Sequence, residues 1–145
     1  MVADIEKAFL QVGLQDSERD VTRLFWIKDT KRPSPFPNNN KIYRFCRVPF
    51  GIISSPFLLS ATIEAHLNTY GTNLSEQMRR DIYVDNIITG ASSDEQAINV
   101  YKEAKKDTSM NLREWSSSSK QVNSLIPDVD RSLKLKQRFL DMFGT

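Results

Sequence analysis

Histidine and cysteine are almost absent from this chain: His66 and Cys46 each stand alone among 145 residues. A single cysteine leaves no disulfide framework and no Cys-based metal site, which fits a reducing compartment. A single histidine excludes His-rich zinc sites and argues against a Ser-His-Asp triad. Excess charge of one sign is missing too, since 20 basic against 18 acidic residues leave a formal net charge of +2. Any nucleic-acid surface therefore has to be a local patch. No apolar run approaches the ~20 residues of a membrane span, and the opening residues lack a signal-peptide core, so no membrane partner is expected. What is present is globular in character, with 39% hydrophobic and 26% charged residues. A chain of this length buries roughly 68–70% of its unfolded surface, enough for one domain or a piece of one. The opening "MVADIEKAFLQV" begins in what reads as the middle of a strand, so the chain is expected to be part of a longer polypeptide.

The patterning alternates between strand and helix signals. "VADIEKAFLQV" reads as a short strand running into a helical turn, and "LQDSERD" as one polar turn with Asp16 or Ser17 as N-cap. "VTRLFWI" (21–27) and "KIYRFCRV" (41–48) are β-branched and aromatic, with a proline- and asparagine-rich loop between them. They are expected to pair as a long-looped hairpin. Ser54 or Ser55 suits the cap of a following helix with Pro56 at its first position, and Phe57, Leu58, Ala61, Ala65 and Leu67 supply apolar faces. A short polar helical segment covers 74–80. "SSDEQAINVYKEAKK" is the clearest helix, with Ser93 and Gln96 as a capping box and Ala97, Val100, Tyr101 and Ala104 on one face. "MNLREW" suits a strand, "SSSSKQ" a solvated loop, and the last 25 residues carry no pattern. This order predicts an α+β fold, an antiparallel sheet with helices packed on one face.

Carboxylates are the remaining candidates for chemistry. Asp4 closes an apolar strand, and Asp85 sits in a turn between "IYV" and "IIT". Two acids projecting from a sheet edge can share a hard cation such as Mg²⁺, which takes one or two carboxylates plus substrate phosphates. Each aspartate alone is equally well explained as a turn former that bonds its own backbone.

The ordered set is more specific than its parts. "DIEKAF" (4–9), "VPFGIISSPF" (48–57) and "YVDN" (83–86) resemble, in order and spacing, motifs A, B and C of retroelement reverse transcriptases. The phrases "IYRF-RVPFG-ISSPF" and "MNLREW" are most similar to the BEL/Pao class of LTR retrotransposons. The resemblance runs from about residue 3 to residue 131. It implies a polymerase palm over 1–131 (motifs A, B, C and part of D) with a tail at 132–145, and fingers and thumb missing or truncated. It implies template-directed DNA synthesis on RNA or DNA by two-metal nucleotidyl transfer, using two Mg²⁺ with Mn²⁺ as a substitute. The implied partners are an RNA or DNA primer–template, deoxynucleoside triphosphates and the protease, ribonuclease H and integrase domains of a polyprotein. The implied location is a cytoplasmic virus-like particle, or the nucleus.

By the same resemblance, Asp4 and Asp85 bridge the metals, and the Ile5 carbonyl lies beside the nucleotide-side ion. Phe9 resembles an aromatic gate beneath the sugar, with Ala8 leaving room beside it. An ordinary core phenylalanine is the alternative, since a gate needs a partly exposed ring. Phe50 and Gly51 would pack on the nucleotide and template base. Ser54, Ser55 and Pro56 would start a helix near the template, and Tyr83 and Val84 would lie at the primer terminus. Arg44, Arg47, Arg79 and Arg80 could meet phosphates or simply face solvent. Three departures accompany the match. Asn86 stands where motif C carries a second acid. The chain opens at motif A and closes in "LKLKQRFLDMFGT", where a primer-grip hairpin is expected and not recognisable. Lys120 and Arg113 are the only candidates for a proton-donating lysine. A non-catalytic, domesticated palm fragment that binds nucleic acid is therefore the alternative function, and an unrelated α+β interaction domain a third.

Overall fold

The computed structural model describes residues 1–31 and 39–132. Most of the proline-rich loop and of the C-terminal tail, including the expected primer-grip region, lies outside them. The chain divides into two compact units, one formed by Met1–Ala8 with the residues from Leu59 onward, the other by Phe9–Leu58.

The first unit is built on an antiparallel sheet in the order β4-β5-β1-β6. Its strands are β1 (Val2–Ile5), β4 (Ile82–Tyr83), β5 (Asn86–Ile88) and β6 (Leu112–Ser116). The helices accompanying it are α3 (Asn73–Asp81), α4 (Asp94–Asp107) and α5 (Lys120–Leu125). Strand β1 is central and short, and its apolar residues explain why. Ala3, Ile5, Ile87 and Leu112 are all buried, and they share one side of the sheet by cross-strand pairing (Ala3 with Ile87, Ile5 with Leu112). The opposite side carries the polar row Asn86–Asp4–Arg113.

That row depends on a β-bulge. Val2 pairs with Ser116 but Asp4 pairs with Arg113, so β6 spends one extra residue against β1. Glu114 absorbs it at φ 50°, and the shift brings Arg113 level with Asp4.

Helix α4 forms as its sequence predicts, with Ala97, Val100, Tyr101 and Ala104 buried. Its capping box is only half made. Ser93 Oγ accepts from the Gln96 N–H, while Gln96 Oε1 accepts from Ser92 rather than from Ser93. The reciprocal box sits instead on α3, between Thr72 and Ser75. The expected loop "SSSSKQ" becomes the start of α5, because Ser119 Oγ caps the Val122 N–H and anchors itself to Asp94 at 2.9 Å.

A buried cluster closes this unit. Trp115 and Tyr101 meet edge to face at 5.2 Å, and Trp115 exchanges backbone bonds with Asp130 and Ser132. The Asp130 carboxylate, 5% exposed, accepts from the Tyr101 hydroxyl at 2.7 Å and from Lys105 Nζ at 2.5 Å. Burial pushes the Asp130 pKa up, but the Lys105 and Tyr101 hydrogen bonds outweigh it and leave the group below the usual carboxylate range. Burial, then the bond to Asp130, pushes Tyr101 up to about 12.

After the one-turn helix α1 (Ala8–Gln11), a 3₁₀ helix (Asp16–Thr22) in the second unit leads into a two-stranded ribbon of β2 (Arg23–Ile27) and β3 (Asn40–Arg44). Both strands are shorter than the sequence suggests. Val21 and Thr22 belong to the 3₁₀ helix, and Gln15 rather than Asp16 or Ser17 occupies its N-cap position. Helix α2 (Ser55–Asn68) begins in this unit and runs into the other. Its buried stripe is Leu59, Ile63 and Leu67, at strict i, i+4 spacing. Of the five residues expected to supply apolar faces, Leu67 is buried and Phe57, Leu58, Ala61 and Ala65 are exposed.

A depressed carboxylate stabilises the fold above its unfolded pKa of ~3.9, and that stability is lost as the pH falls through its folded value. Asp130→Asn should therefore cost about 2 kcal/mol in urea unfolding at pH 7, reduced from a fully buried pair because Lys105 is partly exposed. The difference from the parent should close below about pH 4. A constant difference across that range would assign the loss to packing alone.

Candidate active site

Asp4 reaches the site by register. It is the direct cross-strand partner of Asn86 on one side and of Arg113 on the other, so all three side chains share the face away from the apolar core. Asp85 belongs to the two-residue connection Val84–Asp85 between β4 and β5, which pair Tyr83 to Asn86. The Ile5 N–H bonds the Asp85 carbonyl at 2.8 Å, tying the hairpin tip to β1. Asn86 Nδ2 donates to Asp85 Oδ1 at 2.9 Å. That bond ties the Asp85 carboxylate to Asn86, the cross-strand partner of Asp4. Asp4, Asp85 and Asn86 are each half-buried, so solvent still reaches all three side chains.

The hairpin that does this is strained. Val84 holds φ 56° and Asp85 does not share it, the pattern of a II′-type turn, in which glycine is the usual first residue. A β-branched residue there is a genuine outlier. Lys7, Ser109 and Glu114 are the other non-glycine residues with left-handed φ among those described, and Glu114 lies within β6. Such strain concentrates where surrounding structure must fix a geometry.

The sequence reading missed Glu6 as a member of the site. It lies just past β1, and its Oε2 forms an ion pair with Arg113 Nε at 3.1 Å and accepts from Asn111 Nδ2. The Glu6 N–H also bonds the Asn111 carbonyl at 2.9 Å. The recurrence of an acid so soon after Asp4 was the available signal. Arg113, considered only as a proton donor, is instead held beside Asp4 by this acid. Lys120 opens α5 and is exposed.

The remaining predicted residues divide between the units. Tyr83 is 68% and Val84 37% exposed beside Asp85, while Ile5 and Ala8 are buried. In the second unit Phe9 is only 8% exposed, short of the exposure a gate requires. Its ring lies under that of Phe50, edge to face at 5.4 Å, and Phe50 is the exposed member at 84%. Gly51 sits at φ 90° with open space where a Cβ would be, so it serves conformation rather than close approach. Ser54 directly precedes α2 and its carbonyl accepts the first helical bond, from Leu58. Ser55 is the first helical residue, and its buried hydroxyl bonds the Pro49 carbonyl at 2.6 Å rather than capping. Pro56 is therefore second, not first. Three of the four candidate arginines have partners within the fold: Arg44 with Asp20 and Asp16, Arg47 with the Gln11 carbonyl, and Arg79 with Asn68.

The family model for reverse transcriptase (RNA-dependent DNA polymerase) matches residues 1–118, a span that holds Asp4, the ribbon, α2, Asp85 and all of β6. The chain belongs to the reverse transcriptase family. Among curated proteins none matches the chain. Membership carries the α+β palm fold, a polymerase function, nucleic-acid template and deoxynucleotide substrates, and a general requirement for divalent metal. The reverse transcriptase site fits that requirement in donor chemistry. Among the described residues no group of three or more His, Cys, Asp or Glu side chains could hold a metal. A hard cation that keeps its waters and takes only one or two carboxylates is the kind such a pair accepts. No helix among the described residues is long and apolar enough to cross a membrane.

The strain at Val84 is testable. A non-glycine residue in the left-handed region costs about 1–2 kcal/mol, partly offset by the entropy glycine loses on folding. Val84→Gly should raise stability to urea by up to about 1 kcal/mol, an unusual sign for a valine-to-glycine change. Val84→Ala should gain less, and a loss of stability in the glycine variant would show that Val84 is not strained.

Proposed function

We propose that this chain is the palm core of a BEL/Pao-type reverse transcriptase, spanning residues 1–131, that extends a primer on RNA or DNA by nucleotidyl transfer with two Mg²⁺. The observation that carries the reading is the Asp4–Asn86 register, with the Asn86 amide bonded to the neighbouring Asp85 carboxylate. Asp4 and Asp85 are the residues that would hold the ions, with the Ile5 carbonyl as an additional oxygen donor. When bound, the ions supply Lewis-acid activation of a primer hydroxyl and charge neutralisation at the triphosphate. The chain's own residues do the positioning. The bond from the Ile5 N–H fixes the hairpin tip against β1, and Asn86 orients Asp85. Arg113, anchored by Glu6, sets a positive charge beside Asp4. In such a preorganised site most of the rate comes from fixed charges and dipoles.

The reading extends to context. We infer a polyprotein that also carries protease, ribonuclease H and integrase, working in a cytoplasmic virus-like particle or the nucleus, with these 145 residues not polymerising by themselves. The BEL/Pao assignment is supported by "RVPFG", "ISSPF" and "MNLREW". Asn86 supports a second reading, a non-catalytic palm that retains the fold after losing one acid.

Primer extension in a polypeptide that includes flanking fingers and thumb segments separates the two. Asp85→Asn should lower Mg²⁺-dependent extension by about 10²–10³-fold, and activity near the parent level would remove Asp85 from the mechanism. Asn86→Asp should leave extension unchanged or raise it, whereas a clear loss would show that the amide is built into the site. A parent polypeptide inactive with both Mg²⁺ and Mn²⁺, but rescued by Asn86→Asp, would establish the second reading.

A further inference from the structure

We propose that one face of the β2–β3 ribbon is a binding surface for single-stranded nucleic acid. Opposed residues share a face and successive residues alternate, so the register sorts the ribbon into two faces. One face carries Arg23 with Arg44, Phe25 with Ile42 and Ile27 with Asn40. The other carries Leu24 with Tyr43 and Trp26 with Lys41. The bond from the Lys28 N–H to the Asn39 carbonyl, 2.7 Å, extends that second face by one further pair. Trp26 and Tyr43 are 58% and 48% exposed there, Trp26 directly opposite Lys41 and Tyr43 two positions along from Lys41 on the same strand.

Charge separates along the same line. On the first face the arginines are neutralised by the 3₁₀ helix: Arg44 meets Asp20 at 3.0 Å and Asp16 at 3.3 Å, and Arg23 meets Asp20 at 2.5 Å. These bonds hold the Asp20 carboxylate below its usual range. The second face has no acidic residue at any register position. Asp29, next in sequence, turns its carboxylate to the Lys31 N–H at 2.9 Å. Exposed rings interleaved with lysines, with no carboxylate among them, complement a polyanion whose bases are free to stack. A duplex keeps its bases stacked, so a single strand is the form that fits.

The chain carries its own reporter. It has two tryptophans, and Trp115 is 1% exposed against 58% for Trp26, so quenching of emission on titration with oligo(dT) reads Trp26. The expected result is quenching by oligo(dT) and little by a duplex. Trp26→Ala should weaken binding about tenfold, and Lys41→Ala should lower the slope of log affinity against log salt by about 1. Phe25→Ser, on the opposite face, should leave affinity unchanged. Unquenched emission at saturating oligonucleotide would overturn the proposal, as would equal losses from Phe25→Ser and Trp26→Ala. An emission change driven by protein concentration alone would do the same, because it would make this face a protein–protein contact. Lys41→Glu, a change at an exposed position, keeps the question open to refutation if Trp26→Ala fails to fold. None of these readouts uses Asp4 or Asp85, so this assignment and the polymerase reading can fail separately.

Discussion

The pairing of β1 on both of its edges is the constraint from which the rest of the site follows. Four residues, Val2–Ile5, are clamped between β5 and β6. Their alternation sends Ala3 and Ile5 into the apolar core and Asp4 to the other side. A slip of one residue would bury Asp4 and expose Ile5, so hydrophobic burial enforces the register that chemistry needs. On the β6 side the register alone would not suffice. The bulge at Glu114 re-aims that strand so that Arg113, and not its neighbour, stands beside Asp4.

Much of this was legible in the sequence and some was not, for identifiable reasons. The strand ending in Asp4, the hairpin around Asp85 and the buried face of α4 follow from period-two and period-3.6 patterning. Asp4 and Asp85 as a candidate pair followed only from the order of three motifs, because no local pattern relates two acids 81 positions apart in the chain. Helix α2 was misread because the apolar residues of "SSPFLLSATIEAHLN" are spread around the helix among polar ones, so the pattern offers several faces. The stripe chosen is Leu59, Ile63 and Leu67. The start of α5 was missed because serine runs read as solvated, while Ser119 is a cap tied to Asp94. The bulge was unreadable because Glu114 adopts a conformation that sequence assigns to glycine or asparagine.

Strain and polar bonding share the work at the hairpin. The turn between Tyr83 and Asn86 is two residues long, which leaves no slack. Its first residue must take a left-handed φ for the strands to pair with the right twist. Valine is costly there, and the cost is sustained because β4–β5 pairing and the Ile5–Asp85 bond hold both flanks. The outcome is a carboxylate presented at a fixed point, something a looser loop would not give.

Asn86 has a consequence beyond the loss of one charge. Two carboxylates on adjacent residues, facing a third across β1, would repel one another in the absence of a cation. The sheet's polar edge would then depend on metal to stay assembled. An amide changes the balance, because its Nδ2 donates to Asp85 Oδ1 at 2.9 Å and supplies an attraction where a repulsion would stand. Glu6 and Arg113 act similarly on the other flank, pairing at 3.1 Å so that this acid is compensated by the chain itself. The face is thus assembled by its own hydrogen bonds before any ion arrives. Under the proposed function Asp4 and Asp85 are the oxygen donors left for a cation, a poorer attractor than three acids would be.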